Sequence, residues 1–364
     1  LGLAVSIDRM ANLFLRLEGT DPTLQPVLAG SHMDSQPSGG RFDGIWGVIA
    51  ALEAVQAVRD AGVTTRRAVE VVAWTNEEGS RFAPGCMGSM AFGAAQPPDA
   101  WNASTDTDGL SFGAELAAHL DAERDLPRRP LGVVEGTAPF AYVEAHIEQG
   151  PRLEAEGVDI GVVTGIQGAR WFTVEVLGRS DHAGTAPLSL RKDAMQDTVR
   201  AITALNALMA DPADVTRFTV GRVEVSPNSS NSVAERVRFS IDLRHPDAAV
   251  LRAKGDAVAA AVAGAMTTCA ATVVERFNAD PSVFAPGIIA TIEAAAARLG
   301  LRSVRMPSGA FHDARFLAPV CPAGMIFVPS RGGISHHPSE YTSPAQLAAG
   351  TRVLASVVAE LANR

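Results

Sequence analysis

Residues 26–32 read PVLAGSH and residues 45–60 read IWGVIAALEAVQAVRD. The first is a short apolar run ending on Gly-Ser-His, which predicts a buried strand. The second spaces its apolar residues as an amphipathic helix does. Residues 68–75 (AVEVVAWT) and 141–147 (AYVEAHI) repeat the strand signal. Strands alternating with helices predict an α/β fold, with a mixed, mostly parallel sheet flanked by helices. Ligands of such sheets gather in the loops beyond the C-terminal strand ends. His32, Glu77, Glu78 and His146 all fall at those positions.

The middle of the chain has a different rhythm. Residues 169–177 alternate as a half-buried strand, 190–210 are helical, and 216–225 and 235–244 alternate again. An Ala-rich helix over 247–268 and a strand over 271–277 complete a βαββαβ order, a compact unit in itself. The expected organisation is therefore an inserted domain at 168–280 within a catalytic domain made of 1–167 and 281–364. The α/β pattern resumes with a helix near 287–299, a strand at 323–328 and a helix at 343–362.

Composition narrows the possibilities. The 364 residues are 47% hydrophobic and 20% charged, with a net charge of -9. A mildly acidic chain argues against nucleic acid as the main partner, because phosphate binding needs concentrated Lys and Arg. No apolar run is long enough to predict a membrane span. Cys86, Cys269 and Cys321 show no zinc-ribbon or redox spacing. They read as ordinary thiols of a reduced, cytoplasmic compartment. The chain starts at Leu1, not Met, with no secretory pattern, and part of the natural N-terminus is expected to lie outside it.

Several polar residues stand in Gly-rich contexts. GSHMDS supplies His32 and Asp34, FDGIWG supplies Asp43, and WTNEEGSRF supplies Glu77 and Glu78. HIEQGP supplies His146, and ISHHPSEYT supplies His336. Histidines with carboxylates and no thiolates form a ligand set for zinc, manganese, cobalt or nickel. Singly, each has a plain structural explanation: a hydrogen-bonded His, an N-capping Asp or solvated glutamates. Their joint position at strand ends and loops argues for a site. Tandem glutamates could divide the work, one binding metal and the other acting as a base.

These motifs resemble the dinuclear metallohydrolases that include aminoacylases and carboxypeptidases. More narrowly, they resemble the hydantoinase/carbamoylase branch: N-carbamoyl-L-amino-acid hydrolase, β-ureidopropionase and allantoate amidohydrolase. HIEQGP at 146–151, GRSDHAGTAPLSLRKDA at 178–194 and SGAFHDA at 308–314 carry the likeness. It runs over nearly the whole chain. The resemblance implies a metallo-exopeptidase-like catalytic domain and an inserted lid and dimerisation domain. It implies two divalent ions (Zn, Mn, Co or Ni) bridged by Asp43. His32 and His146 would complete one, Glu78 and His336 the other, and Asp34 would orient His32. Glu77 would be the general base acting on a metal-bridging water.

From the inserted domain, the resemblance implies that His182 stabilises the oxyanion, reaching across a homodimer. It assigns Asn231 and Arg244 to the substrate carboxylate and Gln149 to a contact near the metals. On spacing alone, Arg244 reads as a surface ion pair; the likeness favours the carboxylate. His312 would also contact substrate. Phe311 departs from the branch, which has Gly there, and would shape the pocket. Members of the branch also carry a further N-terminal helical segment.

The expected function is hydrolysis of a linear C–N amide bond in N-carbamoyl amino acids or related ureido acids. The partner would be a small molecule bearing a carboxylate. An N-acyl-amino-acid deacylase or dipeptidase using the same dinuclear site is the alternative, and a non-catalytic metal-binding homologue is a remote one.

Overall fold

A computed structural model describes residues 2–93, 98–133 and 138–364. Contacts divide the chain into two compact units: Leu1–Ile166 with Val283–Arg364, and Gln167–Ser282. In the first unit, β1 (Ala4–Ile7) and β2 (Leu13–Leu17) form a hairpin. β3 (Val27–His32), α1 (Ile45–Asp60) and β4 (Val69–Trp74) follow, then α2 (Met87–Phe92) and α3 (Phe112–Ala122). β5 (Ala141–Ile147), α4 (Arg152–Glu156) and β6 (Ile160–Ile166) lead into the second unit.

The second unit holds β7 (Gly168–Leu177), α5 (Ala194–Met209), β8 (Arg217–Thr219), β9 (Val223–Ser226), β10 (Arg236–His245), α6 (Ala248–Ala265) and β11 (Ala270–Ala279). After β12 (Ser282–Val283) come α7 (Pro286–Arg298), β13 (Ser303–Ser308), α8 (Ala314–Leu317), β14 (Ala323–Val328) and α9 (Pro344–Ala362).

The first sheet runs β1-β2-β4-β3-β5-β14-β6-β12 among the described residues, with β13 also on β6. Its centre is parallel: β3 pairs β4 and β5, and β5 pairs β14. Every residue of β3, β4, β5 and β14 is buried. That is the signature of strands covered on both faces, here by α1 and α9 on one of the packed surfaces. Trp46, Tyr142, Phe327 and Val358 belong to this core. Close approach is built in: a Cβ on Gly47 of α1 would lie 2.2 Å from the Ala145 carbonyl oxygen of β5. The C-terminal ends of β3, β4, β5 and β14 thus open on the loops that carry the polar motifs.

The second unit is antiparallel, in the order β11-β7-β10-β8, with β9 also on β10. Alternate residues of β10 are buried, as a sheet with one covered face requires. Leu205 of α5 and Val258 of α6 pack there against Val174 and Phe239. Both helices begin on an aspartate cap, Asp193 and Asp247. The expected strand over 216–225 is interrupted. Thr219 pairs with Asp242 and Val223 with Phe239, so one extra residue bulges beside Gly221. Glycine in a strand commonly marks such a bulge.

Candidate metal centre

Asp43 is the hub of the site. It follows the loop after β3 and is almost wholly buried. Its Oδ1 lies 3.0 Å from His146 Nε2 and 3.7 Å from His32 Nε2. Its Oδ2 lies 3.1 Å from His336 Nε2, which is 3.5 Å from Glu78 Oε2. Two ligand groups therefore share one carboxylate: His32, Asp43 and His146, and Asp43, Glu78 and His336. Ligands bound at about 2.0–2.1 Å in tetrahedral geometry stand roughly 3.3 Å apart. The observed separations suit that arrangement.

The electrostatics also ask for cations. Against burial, Glu77, Asp34 and Asp313 hold the His32 ring above its ordinary pKa. Burial opposes protonation of His146 too, and Asp43 and Glu144 outweigh it. For His336 the hydrogen bond with Asp43 is the main cause of a raised pKa. Despite burial, His146 and His336 hold the Asp43 carboxyl well below the usual range. A field that draws protons onto three histidines would draw divalent ions to the same nitrogens. Two polar atoms are also orphaned: Glu78 Oε1 and Gln149 Oε1 are buried without a hydrogen-bond partner. Buried polar atoms rarely stay unpaired without a ligand or water to satisfy them. The donor set thus fits divalent metal ions.

Neighbouring residues aim this set. Asp34 accepts the main-chain N–H groups of Glu77 at 3.1 Å and Glu78 at 3.0 Å, so it shapes the turn after β4. His32 Nδ1 sits 3.0 Å from the Asp34 carbonyl oxygen, nearer than the 3.5 Å to its carboxylate. The carbonyl is the better hydrogen-bond partner. His146 Nδ1 is 2.9 Å from the Ile147 carbonyl oxygen. Such contacts select the tautomer that leaves Nε2 available to a metal. Gln36 Nε2 donates to Glu78 Oε2 at 2.8 Å. Gln149 Nε2 donates to Asp43 Oδ2 at 2.8 Å. Gln149 and His336 both have left-handed φ, as does Asn76 beside Glu77. Such conformations cluster where backbone strain serves a site.

Glu77 points to the same centre, with Oε2 3.5 Å from His32 Nε2. Burial pushes its carboxyl up to about 7, while His32 opposes the rise. The thiol of Cys86 donates to Glu77 Oε1 at 3.4 Å. Cys86 and Cys321 are buried free thiols, and Cys269 is half-buried.

Beneath lies a buried polar layer that the motifs do not announce. Glu144 accepts from Ser31 Oγ at 2.7 Å and from the Ala314 N–H at 2.8 Å, one donor on each oxygen, and Tyr142 Oη lies 3.2 Å away. Glu144, His146 and His312 are close enough to be another metal group. The Glu144 oxygens are already filled by those donors, so the group reads as support. His312 is buried, its ring 4.4 Å from that of His146 and its Nε2 2.9 Å from Ser308 Oγ. It lies behind His146. Burial and His146 push its pKa well down. Phe311 is half-buried against the main core, with the Arg315 guanidinium 4.8 Å from its ring centre.

The other expected site residues belong to the second unit. The Ala183 N–H donates to the Asn231 carbonyl oxygen at 2.9 Å, so the His182 and Asn231 segments lie together. His182 Nδ1 accepts the Gly184 N–H at 3.1 Å. Arg244 grips Asp242 through Nε and Nη2, both at 2.9 Å. His337 differs from His336: its Nδ1 accepts the Ser339 N–H within a turn.

The model of peptidase family M20/M25/M40 matches residues 28–360. The chain belongs to that family. An N-carbamoyl-L-amino-acid amidohydrolase of Rhizobium meliloti is 39% identical, over 100% of this chain and 86% of that protein. An allantoate amidohydrolase of Bacillus subtilis (strain 168) is 35% identical, over 99% of this chain and 87% of that protein. A solved amidase of the hydantoinase/carbamoylase family from Burkholderia multivorans superposes with a TM-score of 0.92 at 39% identity. It covers 100% of this chain and 87% of that one. The family's catalytic and lid architecture agrees with the mixed, largely parallel sheet and the second antiparallel sheet seen here. Among the described residues, no helix is long and apolar enough to cross a membrane.

Proposed function

We propose that this protein is a metal-dependent amidohydrolase that cleaves a linear C–N bond in N-carbamoyl amino acids or related ureido acids. One observation carries the reading: the two oxygens of Asp43 face two separate ligand groups, with Glu77 beside them. The relatives' activities supply the substrate class. Two divalent ions of the zinc, manganese, cobalt or nickel type fit the donors. When bound, such ions polarise a carbonyl and make water more acidic.

The residues divide the remaining work. His32, Asp43 and His146 would hold one ion, and Asp43, Glu78 and His336 the other. Glu77 takes a proton from the attacking water and delivers it to the leaving nitrogen. Gln149 steadies Asp43 and has Oε1 left to receive a substrate N–H. His312 holds the ring of His146 from behind. Arg244 and Asn231 bind the substrate carboxylate, and Arg244 suits this because its fork is planar. His182 stabilises the developing oxyanion, from the partner subunit of a homodimer formed through the second unit. A cytoplasmic location accords with the free thiols.

The test is direct. Metal-loaded protein is incubated with N-carbamoyl-L-amino acids, β-ureidopropionate and allantoate, and ammonia is measured. Release of ammonia is the expected result. Its absence with every substrate would defeat the proposal, and release of a carboxylic acid from N-acyl amino acids instead would make the chain a deacylase.

A further inference from the structure

Glu340 belongs to the ISHHPSEYT stretch but to neither ligand group. It is 1% exposed. Its Oε1 accepts the main-chain N–H of Phe42 at 2.8 Å and of Asp43 at 3.2 Å. Its Oε2 accepts the hydroxyl of Ser335 at 2.8 Å. All three donors are neutral. A buried carboxylate met only by neutral donors is costly unless positive charge lies close by.

The donors form a circuit. Ser335 has one hydroxyl proton and two nearby acceptors, Glu340 Oε2 at 2.8 Å and Asp43 Oδ2 at 3.3 Å. The shorter contact takes the proton. Ser335 Oγ is then the acceptor for Gln149 Nε2 at 3.2 Å, and the same amide donates to Asp43 Oδ2 at 2.8 Å. The path leaves the Asp43 side chain through Gln149 and Ser335, reaches Glu340, and returns to the Asp43 backbone. It ties the loop after β3 to the loop after β14, which carries His336 next to Ser335.

We infer that Glu340 is a positioning residue: it fixes Asp43 and His336 relative to each other and keeps the Ser335 proton off Asp43 Oδ2. The inference rests on the metal-dependent reading above. Its consequence concerns Glu340→Gln. The amide keeps an oxygen for the two N–H groups and turns an NH2 toward Ser335. The Ser335 proton must then find Asp43 Oδ2, where it competes with a metal.

The experiment measures Zn2+ retention by purified full-length protein against a chromogenic chelator, alongside folded content by circular dichroism. The Glu340→Gln protein is expected to hold Zn2+ 10–100-fold more weakly, as losses around metal ligands commonly do. Adding Ser335→Ala removes the misdirected proton and should recover part of that loss. A purely structural role would make the second change additive or worse. Should Glu340→Gln fail to fold, Glu340→Asp takes its place: its shorter reach should weaken retention, and wild-type retention would overturn the inference. A folded Glu340→Gln protein that keeps wild-type retention also overturns it, and leaves the proposed function standing. A wild-type chain that binds no Zn2+, Mn2+, Co2+ or Ni2+ overturns both.

Discussion

Gly44 leaves room for the imidazole of His32 and for nothing else. Its φ is +65°, and a Cβ built on it would lie 2.2 Å from His32 Cε1. The residue also precedes α1 and follows Asp43, so the chain must turn sharply beside the ring. Gly44→Ala should strain the backbone, because φ +65° with ψ -57° is a γ-turn conformation that L residues rarely adopt, and displace the ring of His32. The expected result is a folded protein with reduced metal content, read by inductively coupled plasma mass spectrometry. Full metal content in Gly44→Ala would show that the ring is not confined.

Glu77 and Glu78 are adjacent, yet their surroundings differ. Glu78 Oε1 is an orphan, whereas Glu77 sits by His32 and the thiol of Cys86. Glu77→Gln should keep its metal content and lower kcat on the order of 10³ or more, within or above the usual general-base contribution. Metal analysis and steady-state kinetics on one sample check it. Turnover near the wild-type level would move the base elsewhere.

Much of this site is legible in the amino-acid sequence. Strand 141–147 and helix 45–60 stand out because burial on both faces and helical spacing are written into their apolar residues. His32, Glu77, Glu78 and His146 follow from strand ends. The β1–β2 hairpin and β6 escape such a reading, since short edge strands and Gly-rich runs such as IGVVTGI resemble loops. The bulge at Gly221 escapes because alternation continues on either side of it. Glu340, Gln36 and Glu144 each hydrogen-bond at least one partner 42 to 298 positions away in sequence. Local pattern carries no trace of such pairings, although Glu340 stands only four residues after His336.

Arg244 offers a sharper choice. Its Nε and Nη2 are fixed by Asp242, so the guanidinium plane is set. An exposed ion pair alone is worth at most about 1 kcal/mol and has no kinetic role. If the plane is set to receive a substrate carboxylate, Arg244→Lys should raise KM by about tenfold or more while stability barely changes, because lysine lacks the planar fork. An unchanged KM would return Arg244 to the role of a surface ion pair.

Asp197 ties α5 to the segment that leads into β11. It is fully buried and accepts the N–H groups of Thr267, Thr268 and Cys269 and the Thr267 hydroxyl. Although burial pushes the other way, these bonds hold its carboxyl well below the aspartate range. A depressed folded pKa means that the unfolded chain binds the proton first as pH falls. The contribution is therefore complete above the ordinary aspartate value, about 4, and declines as pH drops below it. Asp197→Ala should cost about 2 kcal/mol, because it removes hydrogen bonds to a charged acceptor and the ion pair with Arg200. Urea unfolding at pH 7 and pH 3.5 should show a large gap between the two proteins at the higher pH and a smaller one at the lower. An equal gap at both would mean that Asp197 holds its partners without its charge.

Metal removal should affect stability as well as turnover. Asp43, Glu77 and Glu78 converge with three histidines, and Asp43 already adds to burial in raising the pKa of Glu78. Without ions, the carboxylates repel one another and the histidines must take up protons. Ions bound only by the folded state add about 2.7 kcal/mol at a hundred times their Kd. For a unit of roughly 250 residues, that is about 5–10 °C in Tm. Chelation should lower Tm by this amount and abolish turnover, and Zn2+, Mn2+ or Co2+ should restore both. The apo protein should be less stable at pH 8 than at pH 6, because histidines whose pKa is raised by the fold contribute fully below their ordinary value, about 6.5, and lose that contribution as pH rises above it. Scanning calorimetry with and without chelator at both pH values measures it. A Tm indifferent to chelation would mean that the ligand groups are held by the scaffold alone.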